Sequence, residues 1–246
     1  MIHVDDSAAV RRVTLDHGPV NALDVELLDA ITDTVEELCA DRATRAIVLA
    51  GGERAFCAGV DLRRVVDEPP SYRVGLVSSL DRCFTRVLTA PVPTVAAIGG
   101  HAIAGGLVLA ACCDHRVATT GKARLGVTEL AVGVPFPPVA HAATARLVSA
   151  AAANRLMLDA TLVGTDEALA LGLVDELAEP DDVLSRATAV AERRAAIPAA
   201  AYALTKRQLS APVLATARDG ATISDVTGVW TSDETTDAIR AFVERM

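Results

Sequence analysis

Residues 94–114 read TVAAIGGHAIAGGLVLAACCD, and residues 46–62 read AIVLAGGERAFCAGVDL. The second opens with a continuous apolar run, Ala46–Ala50, of the kind that forms a buried strand, the first with a strand-like run, Thr94–Ile98, and each run ends in a glycine pair. Both then pass through a second short segment to an Ala-Gly step, Ala104-Gly105-Gly106 in one and Ala58-Gly59-Val60 in the other, before a helix-like pattern. This is an imperfect internal repeat. Strand-strand-helix units of this sort hide their apolar faces only against the next copy and stack into a spiral. Glycine pairs also punctuate strand ends in other folds, so two copies alone leave both readings open.

The flanking sequence keeps the alternation. Val10–Leu15 reads as a strand, and after the turn HGPVNAL a helix is expected in DVELLDAITDTVEELCAD, where Leu27, Leu28, Ile31, Val35 and Leu38 recur at helical spacing. Strand, helix and strand in succession argue for an α/β architecture. Beyond about residue 180 the character changes: DDVLSRATAVAERRAA, PAAAYALTKRQLSAP and DETTDAIRAFVERM are helical patterns with no strand between them. The expected division is a core over 1–180 and a helical extension over 181–246, with Ala-rich faces suited to the core or to neighbouring subunits.

Composition narrows the class. At ~150 residues per domain, 246 residues suggest one large domain with an appendage. A net charge of −9 with 3% aromatic residues offers no basic stripe for nucleic acid. No apolar run approaches the ~20 residues that span a bilayer, so no membrane partner is expected. The opening MIHVDD is polar and acidic, unlike a secretory leader. Five cysteines without a CxxC pair (Cys39, Cys57, Cys83, Cys112, Cys113) read as small buried hydrophobes in a reducing compartment, and the cytoplasm is the expected location. The five histidines are scattered, and no metal site is expected.

GxSxG, GxxxxGK[ST] and HExxH are all missing, and the glycine spacing is not GxGxxG. What remains is backbone chemistry. At both Ala-Gly steps the strand gives way to a helix, whose first N–H groups lack partners and carry partial positive charge. Two such donors aimed at one point form an oxyanion hole, each worth ~3 kcal/mol when charge builds on a carbonyl oxygen. Close packing of helix on strand explains either loop taken singly.

Seven segments in order, PVNALDVELLDAI, RAIVLAGGERAFCAGVDL, PVPTVAAIGGHAIAGGLVLAACCDHRVAT, ARLGVTELAVGVP, ALALGLVDELAEPDDVL, ALTKRQL and AIRAFVERM, resemble the enoyl-CoA hydratase/isomerase (crotonase) superfamily over essentially the whole chain. The resemblance implies a crotonase-like spiral of strand-strand-helix repeats with a helical C-terminal region that builds homotrimers, commonly paired into hexamers. It also implies an acyl-CoA thioester substrate that brings its own coenzyme A, with no separate cofactor. The two amides that would bind the thioester oxygen fall at Val60 and Gly105.

Family hydratases use two glutamates. Here the first position is Val108 and the second is Glu129, set among Leu125, Val127, Leu130 and Val132, where an apolar setting would raise a carboxyl's pKa. Family members that keep only the second glutamate resemble the enoyl-CoA isomerases, so double-bond migration ranks ahead of hydration. A catalytically weak acyl-CoA-binding protein is the reading from another class, and Val108 keeps it open. Arg54 and Arg63 match positions where the family contacts the nucleotide end of the ligand, and Arg245 matches a C-terminal basic residue there. For Arg64 and Arg245 a solvated surface charge is an equal alternative.

Ala22, Ala58 and Leu62 match small or apolar positions around the pantetheine arm, with Asp61, Gly106 and Val108 completing the expected substrate site. Asp61 and Asp114 also read as caps or turn-holding carboxylates, and Trp230 and Phe242 as packing or interface residues. The stretch VGVPFPPVAHAATARL replaces a glycine-rich family segment and is stiffened by Pro135, Pro137 and Pro138, which leaves the acyl chain's length and branching undetermined.

Overall fold

The computed structural model describes residues 1–6 and 8–245. An antiparallel pair, β1 (Ile2–Asp5) and β2 (Val10–Leu15), precedes α1 (Val25–Ala40). The N-cap of α1 is Asp24, whose carboxylate accepts from the Leu27 amide at 2.8 Å. Three units of one plan follow: β3 (Ala46–Ala50), β4 (Ala55–Cys57), α2 (Leu62–Asp67) with α3 (Pro70–Leu88); β5 (Thr94–Ile98), β6 (His101–Ile103), α4 (Gly105–Ala111); and β7 (His115–Thr119), β8 (Leu125–Gly126), α5 (Glu129–Val132). The third unit, which periodicity does not reveal, has a two-residue second strand and a single helical turn. Elements that short carry no periodic signal.

The chain continues through α6 (Pro138–Ala145), α7 (Ala150–Leu158), β9 (Leu162–Val163), α8 (Thr165–Leu171), β10 (Glu176–Ala178) and a 3-10 turn at Pro180–Asp182. Four helices close it: α9 (Val183–Ala195), α10 (Ala199–Asp219), α11 (Ile223–Trp230) and α12 (Asp233–Val243). First strands of the units assemble a six-stranded sheet in the order β1-β2-β3-β5-β7-β10, parallel from β2 onward. Second strands assemble a four-stranded sheet, β4-β6-β8-β9, whose last pair is antiparallel. The chain is therefore a spiral that turns from one sheet to the other at each glycine pair. A Cβ on Gly100 would collide with the backbone of Arg54 in the preceding turn of the spiral, so the corners stack main chain on main chain.

Both faces of the six-stranded sheet are covered, which is why β3 and β5 are buried throughout and apolar but for Thr94. Ile47, Leu49, Ala96 and Ile98 face the main core. Alternate residues Ala46, Val48, Val95 and Ala97 meet Val183, Ala187 and Val190 of α9. The change of pattern near residue 180 is real in secondary structure, and α9 lies within the core packing. Among the described residues no helix is long and apolar enough to cross a membrane.

A buried ion pair fastens α10 to the sheet. Lys206 Nζ donates to Asp114 Oδ2 at 2.8 Å, to Thr94 Oγ1 at 3.1 Å and to the Val92 carbonyl at 3.2 Å. Asp114 Oδ2 also accepts from the Thr94 amide at 2.8 Å and from Tyr202 Oη at 3.1 Å. Asp114 is thus a structural carboxylate away from the cavity described below. Removing it strands a buried ammonium, and Asp114→Ala is expected to cost ~3–5 kcal/mol in urea unfolding at pH 7; a loss under 1 kcal/mol would show that water repairs the gap.

Candidate active site

The two Ala-Gly turns meet. Gly59 has φ +86°, a conformation open to glycine. Its carbonyl accepts from the Leu23 amide at 2.8 Å, and the Asp61 amide donates to the Leu23 carbonyl at 2.9 Å. Those two bonds hold the turn against residues 20–23 and leave the Val60 N–H between them without a protein acceptor among the described residues. On the facing turn the Ala104 amide donates to the Gly126 carbonyl at 2.8 Å, and Ala104 holds φ +49° and ψ −125°. Such a conformation in a non-glycine residue stores about 1–3 kcal/mol and marks a site built for something other than stability.

Helix α4 starts at the next residue. Its first intrahelical bond runs from the Val108 amide to the Ala104 carbonyl at 3.1 Å, so the Gly105 N–H has no intrahelical acceptor. A Cβ on Gly59 would lie 2.9 Å from Ala104 Cβ and 3.5 Å from the Gly105 nitrogen. The two turns are therefore in van der Waals contact, and both Val60 and Gly105 border one cavity of about 830 Å³.

Glu129 opens α5 on the same cavity wall and is 8% exposed. Its Oε2 is buried with no hydrogen-bond partner among the described residues. Burial pushes the carboxyl up to about 8, opposed only by the amides of Glu129 and Thr128. At pH 7 such a group is mostly neutral, with about one molecule in ten ionised. It can take a proton and return it within the same pH range.

The remaining expected residues divide. Ala22, Arg54, Ala58, Asp61, Leu62 and Arg63 all border the cavity. Arg54 and Arg63 are exposed at its mouth, and Asp61 Oδ1 caps α2 by accepting from the Arg63 and Arg64 amides at 3.1 and 3.2 Å. Three residues expected in the substrate site do not border it. Val108, 1% exposed, belongs to the main core, because α4 presents only its first residue to the cavity. A Cβ on Gly106 would collide with the Cys57 carbonyl, so Gly106 serves the packing of α4 on β4. Arg245 stands over the ring of Phe242, 5.9 Å from its centroid, and stops short of the wall. Arg64 turns the other way, to Glu26 at 2.6 and 2.7 Å and Asp24 at 3.1 Å.

Two residues of the core packing also line the cavity, and sequence reasoning overlooks others. Trp230 and Phe242, read as packing or interface residues, border the cavity, together with Leu80 and Phe84 of α3 and with Ala160 and Leu162 near β9. The spacing of Leu80 and Phe84 signals a buried helix face but not which void that face borders. Cys57 is buried and its thiol is pushed up to about 12, so no thiolate is present at neutral pH. No cluster of metal-ligating side chains occurs among the described residues.

A family model described as enoyl-CoA hydratase/isomerase matches residues 5–246. A protein from Thermus thermophilus named putative enoyl-CoA hydratase is 38% identical over 232 residues, covering 92% of this chain and 90% of that one. The mitochondrial enoyl-CoA delta isomerase 1 of Mus musculus is 30% identical across 100% of this chain and 86% of its own length. The crystal structure of human mitochondrial delta3-delta2-enoyl-CoA isomerase shares the fold at TM-score 0.92 with 26% identity, covering 99% of this chain and 97% of that one. Matches of this extent, on the same α/β fold, place the chain in the enoyl-CoA hydratase/isomerase family: it is an enzyme of the crotonase type.

Proposed function

We propose that this enzyme moves the double bond of a 3-enoyl-CoA thioester to the 2-position, with Glu129 as its only acid-base group. The observation that carries the proposal is a buried carboxyl on the same apolar cavity as two amides that have no acceptor among the described residues, while the position of a second glutamate is filled by core residue Val108. Asp61, the other carboxylate on the wall, is engaged in capping α2.

Ionised Glu129 removes a proton from C2, and the electron pair moves into the thioester carbonyl to leave a dienolate. The amides of Val60 and Gly105 donate to that oxygen, each worth ~3 kcal/mol in the transition state. Glu129, now protonated, returns the proton to C4, and the double bond comes to rest between C2 and C3. Every atom taken up is given back, so one carboxyl suffices. Hydration instead needs a second group to hold and deprotonate a water molecule, and the other carboxylate on the wall, Asp61, is engaged at the start of α2. The exposed guanidinium groups of Arg54 and Arg63 suit the phosphates of coenzyme A, which arrives as part of the substrate. We propose assembly into a homotrimer or hexamer through the helical region, on which Leu204 and Leu209 of α10 are 47% and 68% exposed.

Three outcomes follow for Glu129. Offered 3-enoyl- and 2-enoyl-CoA thioesters, the wild type should create conjugation absorbance from the first faster than it removes it from the second, and Glu129→Gln should lower kcat by about 10²–10⁴. A wild type that only hydrates, or a variant as fast as the wild type, would overturn the proposal. Because the ionised form is the base, kcat/KM should rise about tenfold per pH unit up to about 8 and then level off. The same burial predicts a stability effect. Glu129 binds its proton up to about pH 8 when folded but only up to its ordinary value of 4.5 when unfolded. Between those values the folded state holds the extra proton, so wild-type stability relative to Glu129→Gln should fall with rising pH by up to about 1.4 kcal/mol per unit, then flatten above 8. Thermal melts across that range check the sign.

A further inference from the structure

The wall of the cavity is mixed in chemistry. Arg54 and Arg63 are exposed on it, whereas Leu80, Phe84, Val134, Ala140 and Trp230 are each 3% exposed or less. Phosphates belong beside the exposed guanidinium groups and alkyl carbon against the buried apolar residues.

Trp230 is held there from two sides. Its Nε1 donates to the Pro135 carbonyl at 3.0 Å, and its own carbonyl accepts from Arg73 at 3.3 Å. Arg73 is itself 2% exposed and also donates to the Val65 carbonyl and to Thr236 Oγ1. With its one polar atom engaged, the indole has only carbon left to present to the cavity. The segment that holds it is also tied to Glu129, since the Val134 amide donates to the Glu129 carbonyl at 3.1 Å. Few bonds separate the proton-transferring carboxyl from the indole, so the space between them is fixed by rigid backbone that includes Pro135.

Resting on the proposed function, we propose that Trp230 limits the acyl chain: a chain placed with its reacting carbons at Glu129 runs along the aliphatic wall and stops against the indole. Chains that fill the space gain apolar cover with each methylene, roughly fourfold in affinity per added carbon. Longer chains find no further cover.

Trp230 is the only tryptophan in the sequence, so its emission reports contact with the chain. The experiment titrates wild type, Trp230→Ala and Trp230→Phe with free coenzyme A and with butanoyl-, octanoyl- and hexadecanoyl-CoA, saturated thioesters that bind without turnover. In the wild type, emission should stay unchanged with coenzyme A and butanoyl-CoA and shift to shorter wavelength once the chain reaches the indole. By calorimetry the ratio of hexadecanoyl-CoA to butanoyl-CoA affinity should rise in Trp230→Ala, and less in Trp230→Phe. Emission that responds equally to every ligand, or to no thioester that binds, overturns the assignment. So does a chain-length profile unmoved by Trp230→Ala. If that variant fails to fold, the wild-type emission series decides alone. A wild type that binds none of the thioesters overturns both this inference and the acyl-CoA reading beneath it, whereas binding with an indifferent indole overturns this one only.

Discussion

Main-chain contact between consecutive turns of the spiral governs everything else in this molecule. A side chain at Gly59 would press on Ala104 and on the nitrogen of Gly105, and one at Gly100 would meet the backbone of Arg54. Where the two Ala-Gly turns touch, the methyl of Ala104 is the nearest side chain to Gly59, and amide groups of one turn come to border the same space as those of the next. The two sheets, the glycine corners between them and the helix starting at Gly105 are arrangements that keep that contact in place.

Several features of the site work against stability. Ala104 is held in a backbone conformation that alanine avoids, and Glu129 buries a carboxyl with one oxygen unpartnered. Each costs on the order of 1–3 kcal/mol, a sizeable share of the ~5–15 kcal/mol that holds a folded domain together. The surroundings make this sustainable: a core that covers both faces of the six-stranded sheet, and the Asp114–Lys206 pair that fixes α10 to it far from the cavity. The same dry environment that makes the carboxyl costly is what brings its proton affinity near neutrality.

Much of the fold is legible in the sequence because it is written in short-range pattern. Short, largely apolar runs followed by two glycines mark β3 and β5, and the Leu-Ile-Val spacing marks α1. The third unit escapes because a two-residue strand and a one-turn helix have no period to detect. In the site, Val60, Gly105 and Glu129 are singled out by local chain pattern and family resemblance, and all three border one cavity. Val108, Gly106 and Arg245 are misplaced for the opposite reason. Which side of a helix faces a void depends on what packs behind it, and nothing near Val108 in sequence discloses that α4 gives only its first residue to the cavity. Trp230 and Phe242 lie more than a hundred residues from the turns with which they share a cavity, so tertiary packing alone brings them there.

That cavity is walled by residues as early as Pro19 and as late as Phe242. Trp230 ends α11, Phe242 lies on α12, and α12 packs directly on α5, the short helix that Glu129 opens. The burial that raises the Glu129 carboxyl is thus assembled from segments far apart along the chain. A substitution that loosens α12 would act on the acidity of a group more than a hundred positions away.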